Sequence, residues 1–271
     1  MCGSLPASAI LHLRQLSLFS MICRLPRDPL HSRALYALTA LKPSCKSWFT
    51  SIRDVCLQYC LPHPLTLLQK PLPKQTFKKL AKSLVVQYWE EVLRGEATLL
   101  PSLEYFDANF HSLVNPHPIL YTPGSNPYEV CKALIQCKMK SGRYRTAQLS
   151  RHWSPSNPKG YCPAPSCRDT PECLTHLLLL CPFYSLTREK IFRLWTQSRP
   201  FLPELTDFLL DIQTATPKVL MCFILDPTSH HQVIHLSQVH GKVVISTVCR
   251  ITRALCYAIH RERQKLILKK I

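Results

Sequence analysis

Glycine and acidic side chains are the two things this 271-residue chain has little of. It holds 6 glycines against 23 prolines. Tight β-hairpins draw on glycine for positive φ, so the expected architecture is helices separated by proline-stiffened loops. Asp and Glu number 16 against 34 Lys and Arg, a formal charge of +18. That imbalance favours polyanionic partners, nucleic acid above all, with an anionic membrane surface as the competitor. No uninterrupted apolar stretch reaches membrane-spanning length. Residues 1–25 are apolar but have no basic start, and His12 and Arg14 interrupt them, so no secretory signal is expected. No internal repeat is visible.

What is present bounds the class. The length suits one large domain or two small ones, and an apolar fraction of 46% is enough to bury a core. A chain of this size needs no disulfide staples, although it has 14 cysteines. The reading is therefore of reduced cysteines in a nucleus or cytoplasm, with no membrane partner.

Apolar spacing and proline punctuation predict helices over residues 7–24, 31–41, 46–60 and 76–93. Leu11, Leu18 and Ile22 form one stripe of the first helix, and Leu13 and Leu16 a second. In the fourth, Phe77, Leu80, Leu84, Val85, Tyr88 and Trp89 should face inward and Lys78, Lys79 and Lys82 outward. Residues 115–125 read as a loop. Asn126, Pro127 and Glu129 then make a capping-box start, with a stop at Gly142. Further helices are expected over 183–197 and 243–267, with one or two short ones in 201–225. The fold class is thus mainly α, with helical segments, Pro-rich loops and a small embedded zinc-binding module. Its expected divisions are 1–115, a basic segment plus zinc module over 116–200, and a C-terminal helical region over 201–271.

That module rests on Cys162-x4-Cys167-x8-His176-x4-Cys181. Three thiolates and an imidazole complete a tetrahedral set for structural Zn2+. Thr170 and Pro171 look like the cap and first residue of a short helix carrying His176. Cys173 precedes His176 by three residues on the same helical face and could replace one ligand. The plainer alternative is reduced cysteines in an apolar core.

Just upstream, Lys138, Lys140, Arg143, Arg145 and Arg151 surround Tyr144. Cationic side chains can pair with phosphates and an aromatic ring can stack on an unpaired base. These six residues are the candidate contacts for RNA or DNA. The competing reading makes Tyr144 and Trp153 core residues of the zinc module.

The run Lys138-x2-Ser-Gly-Arg-Tyr-Arg-Thr146, then Arg151-His-Trp-Ser154, then the Cys-Cys-His-Cys set, resembles the C-terminal region of LINE-type (non-LTR) retrotransposon reverse transcriptases. Ala258-Ile-His-Arg-Glu-Arg263 is similar to the ends of such polyproteins, and the stretch ending at Pro26 to sequence following the polymerase core. The resemblance implies binding of element RNA or target DNA during target-primed reverse transcription. No Asp-Asp pair occurs in the chain, so the polymerase motif is absent, as is the endonuclease domain. The resemblance therefore implies a detached, truncated tail whose partners include the missing polymerase domain. Polymerisation needs carboxylates holding two metal ions, and no enzyme activity is expected. The functional reading is a non-catalytic nucleic-acid-binding zinc module. The alternatives are a zinc-stabilised helical protein-interaction module, or an inactive fragment.

Overall fold

The computed structural model describes residues 5–26, 28, 33–37, 47–107, 109, 113, 115–153, 157–167, 169–197 and 202–268. Among these the chain is mainly helical. The only β pairing among the described residues is an isolated antiparallel bridge between Tyr161 and Pro171. The chain divides into two compact units, one formed by Gly3–Gly95 with Ser112–Asn115, the other chiefly by Glu96–His111 and Pro116–Ile271. Residues 116–200 and 201–271, expected to be separate, thus share one core.

The first unit contains α1 (Ala7–Cys23), α2 (Trp48–Gln58), α3 (Pro64–Gln69) and the part of α4 (Lys74–Leu99) that ends at Gly95. Residues 33–37 are helical, and the rest of the helix expected over 31–41 lies outside the described residues. Ser47 caps α2 through a reciprocal capping box with Thr50. The buried side of α1 is the one carrying Leu16, Phe19 and Cys23, while Leu11 and Leu18 are exposed. The Leu11–Leu18–Ile22 stripe is therefore not its main packing face. The unit closes over Ile52, Val55, Tyr59, Phe77 and Val85. The Tyr59 hydroxyl pairs with His12 Nδ1 at 2.8 Å and accepts from Trp89 Nε1 at 3.1 Å.

The second unit contains α5 (Pro118–Tyr121), α6 (Pro127–Lys140), α7 (Ala147–Ser150), α8 (Ser185–Gln197), α9 (Pro203–Thr214), α10 (Pro217–Leu225), α11 (His231–His240) and α12 (Lys242–Leu268). Proline opens α5, α6, α9 and α10, where its missing N–H is no loss and its φ suits the first turn. Pro118, inside the stretch read as a loop, is thus a helix start. Asn126 caps α6 as expected, accepting from Tyr128 N and Glu129 N. Glu129 pairs with Lys132 at 2.6 Å. At the other end Gly142 has φ +66°. There Arg143 N donates to Lys138 O, and Gly142 N to Met139 O, closing a Schellman turn.

The axis of this unit is α12, which lies against α6, α8, α10 and α11. Val244, Val248, Leu255 and Ile259 are fully buried along it. Each such side chain stabilises the fold by roughly 1.5–3 kcal/mol. This helix is long and apolar enough, by length and composition, to cross a membrane, and half of its apolar window is buried inside the molecule. Its inward face also carries Arg253 and Arg263, both buried and both paired with carboxylates.

Candidate metal centre and adjoining basic segment

Cys162 and Cys167 sit on a short two-armed loop. Cys162 N donates to Thr170 O at 2.8 Å, and Glu172 N to Gly160 O at 3.0 Å. Asn157 holds the entry, donating to Tyr161 O and accepting from Tyr161 N. Gly160 has φ +69°, and a Cβ there would lie 2.6 Å from the Gln148 backbone. Pro171 belongs to this bridge, so the helix start expected at Thr170–Pro171 is not formed. The helix begins at residue 174, because the bridge has already used the backbone around 170–172.

His176–Leu180 is a π-helical turn, and Cys181 N donates to His176 O at 2.7 Å. Residues five apart point roughly 140° away from each other on an α-helix. The wider π turn brings His176 and Cys181 toward one side. Cys173 caps the turn, its sulfur accepting from His176 N at 3.3 Å. It is half-buried and stands outside the cluster.

The ligand-type atoms of Cys162, Cys167, His176 and Cys181 all lie within 4.8 Å of one another, and all four residues are buried. The Cys162–Cys181 and Cys167–Cys181 sulfur separations are 3.8 and 3.3 Å. His176 Nε2 is buried and has no hydrogen-bond partner among the described residues. One imidazole gathered with three thiols is the donor set a metal ion satisfies, so these residues could hold one. The hydrogen bond with Cys181 raises the Cys162 thiol, and the same bond lowers the Cys181 thiol. Arg188 Nη2 donates to the Cys181 carbonyl at 2.7 Å, placing a cation beside the sulfurs.

The basic segment alternates. Lys138, Arg143, Arg145 and Arg151 are exposed, whereas Met139, Lys140, Tyr144 and Thr146 are buried. Among the described residues, none of the four exposed cations pairs with a carboxylate. Two of the six candidate nucleic-acid contacts must be corrected. Lys140 is 1% exposed, with its ammonium on Asp226 Oδ2 and 3.2 Å from His117 Nε2. Burial alone would raise the Asp226 carboxyl, but the hydrogen bond with His117 and the charge of Lys140 hold it far below the usual carboxylate range. Lys140 thus ties α6 to the end of α10 and does not reach a phosphate.

Tyr144 is 6% exposed, its hydroxyl 3.0 Å from His260 Nδ1 and its ring 5.6 Å from the Arg263 guanidinium. Both the ring and the hydroxyl are engaged inside the protein, so no base stacks on it. The side chain of Trp153 and residues 154–156 lie outside the described residues. A cavity of about 470 Å³ adjoins the segment, with Tyr105, Leu149, Arg151, His152 and Cys173 in its wall.

Sequence reasoning missed Glu172 and Asp226. Both are buried carboxylates whose basic partners lie 91 and 86 residues away. The only signal was the scarcity of acids, which makes each buried one stand out in a basic chain. No protein family, no curated protein and no solved structure matches the chain.

Proposed function

We propose that the chain is a zinc-stabilised, non-catalytic module that binds single-stranded or structured RNA or DNA in the nucleus or cytoplasm. The observation that carries this reading is the adjacency in sequence of a buried Cys3His cluster and a run of exposed cations that, among the described residues, pair with no carboxylate. Zn–S bonds of about 2.3 Å at tetrahedral angles put sulfurs roughly 3.8 Å apart. The Cys162–Cys181 spacing of 3.8 Å meets that requirement, and the Cys167–Cys181 spacing of 3.3 Å would open on metal binding. Zinc with three thiolates and a neutral imidazole leaves one negative charge, and Arg188 at the Cys181 carbonyl is placed to balance it. The metal would supply folding energy to the loop rather than chemistry.

Lys138, Arg143, Arg145 and Arg151 would take phosphates. The resemblance of 138–181 to LINE-type reverse transcriptase tails agrees with this reading and suggests element RNA or target DNA as the partner. The absence of an Asp-Asp pair from the sequence is the reason for assigning the chain no polymerase step.

The test is a titration of labelled single-stranded RNA and DNA at several salt concentrations, with Arg143→Ala/Arg145→Ala alongside. Affinity should fall for many sequences alike, and the salt dependence should flatten by roughly one unit per lost contact. Unchanged affinity and slope in a folded double variant would remove the segment from the site.

A further inference from the structure

A groove of about 560 Å³ lies between α1 and α4 of the first unit. Its apolar lining includes Leu18, Met21 and Phe77. Leu18 and Met21 are 46% and 50% exposed, although they belong to a helix whose opposite side is fully buried. Single exposed leucines are ordinary. A concave apolar strip between two helices is not, because each wall has the partner it needs on its other face and the strip is left over.

The rim is uniformly cationic. Lys74, Lys78 and Lys82 recur every four residues along α4, so they stand in one row. Arg14 on α1 and Arg24, the residue that follows it, border the other side. Ten residues of helix span about 15 Å, so the α1 rim runs for nearly three turns. Among the described residues no acidic side chain lines the groove, and none of these five cations pairs with a carboxylate. Five like charges around an apolar trough repel one another, and an occupant bearing negative charge on both flanks relieves this.

We propose that this groove docks an acidic amphipathic helix of a protein partner, two to three turns long. Its apolar stripe would lie on Leu18 and Met21, over a floor closed by the buried Phe77, and its carboxylates would face the lysine row on one side and Arg14 and Arg24 on the other. Helix-in-groove recognition takes its anchors at i, i+3, i+4 and i+7, and the thioether of Met21 can adapt to differing anchors. Nucleic acid fits the charge but not the floor. Phe77 is 2% exposed and offers no ring face to a base, and aliphatic side chains give base edges nothing to bond. A lipid surface fits the composition but not the concavity, since a bilayer meets convex amphipathic faces.

The test uses the full chain and a fluorescent designed peptide with leucines at i, i+3, i+4 and i+7 and glutamates on both flanks. A scrambled peptide of equal composition, phosphatidylserine vesicles and a single-stranded oligonucleotide are run in parallel. The peptide should bind and its scramble should not. Lys78→Glu/Lys82→Glu should weaken binding by at least about tenfold through like-charge contact. Leu18→Asp should do the same while leaving nucleic-acid affinity at the basic segment unchanged. These positions are exposed, and circular dichroism of each variant checks the fold. Equal binding of the scramble, no binding, or indifference to all three substitutions overturns the proposal. So does a response to these substitutions seen with vesicles or oligonucleotide and not with the peptide.

Discussion

Glu172 and Arg263 stand 91 residues apart in the chain and meet as a bidentate pair, Nε to Oε1 at 2.8 Å and Nη2 to Oε2 at 2.7 Å. Glu172 is fully buried, and its Oε2 also accepts from Ala147 N at 2.6 Å. One carboxylate therefore joins the cysteine loop, the start of α7 and the last turns of α12. Burial opposes the charge of Arg263, but Glu172 outweighs it and holds the guanidinium more firmly protonated.

Removing the arginine would strand that carboxylate. Arg263→Met is expected to cost about 3–5 kcal/mol, the usual penalty for breaking a buried pair from one side. Urea unfolding measures it, and a cost within the range of an ordinary surface change would count against the pairing.

Lys140 and Asp226 form the second buried pair, and the sign of its pH dependence follows from Asp226. A carboxyl depressed in the folded state contributes stability that is present above its unfolded value of about 3.9 and lost as pH falls. Asp226→Asn should thus destabilise the protein at neutral pH, and its deficit against the parent should shrink below about pH 4. Lys140→Met should be as harmful on its own, whereas Lys140→Met/Asp226→Leu should recover most of the loss. Additive losses in the double variant would mean the two groups do not interact.

Tyr144 distinguishes a buried ring from a stacking platform. Tyr144→Ala should lower unfolding stability by about 3–5 kcal/mol, as for other large buried aromatics. Nucleic-acid affinity of the still-folded fraction should stay unchanged. A selective loss of affinity with stability intact would return Tyr144 to the binding face.

Gly160 has no room for a side chain, because the left-handed backbone and the 2.6 Å approach to Gln148 both forbid one. Gly160→Ala should cost about 1–3 kcal/mol from the strained conformation alone. It should also loosen metal retention, since the residue two positions on is Cys162. Equal metal content and stability in the variant would show that the loop has slack.

The Cys/His cluster was legible because its four residues lie within one short stretch, where spacing alone limits geometry. The start of its helix was misread. Thr170-Pro171 fits a helix cap, but the Tyr161–Pro171 bridge claims the same backbone. Helix limits at Asn126 and Gly142 were legible from capping chemistry. The orientation of the basic segment was not. Arg143 and Arg145 face out while Tyr144 and Lys140 face in, and what draws the latter pair inward is His260 and Asp226, more than eighty residues distant. Packing partners at such separations leave no local periodicity. The same limit explains α1, where two apolar strips compete and only contact with α2 and α3 selects Leu16 over Leu11.

The most direct test of the account is native mass spectrometry of the purified chain, with and without chelator. One zinc per chain is expected. It should be lost in Cys162→Ser and in His176→Ala and kept in Cys173→Ser, whose sulfur only caps the turn. A chain free of metal that folds equally well in chelator, or one that loses its zinc through Cys173→Ser, would contradict the account.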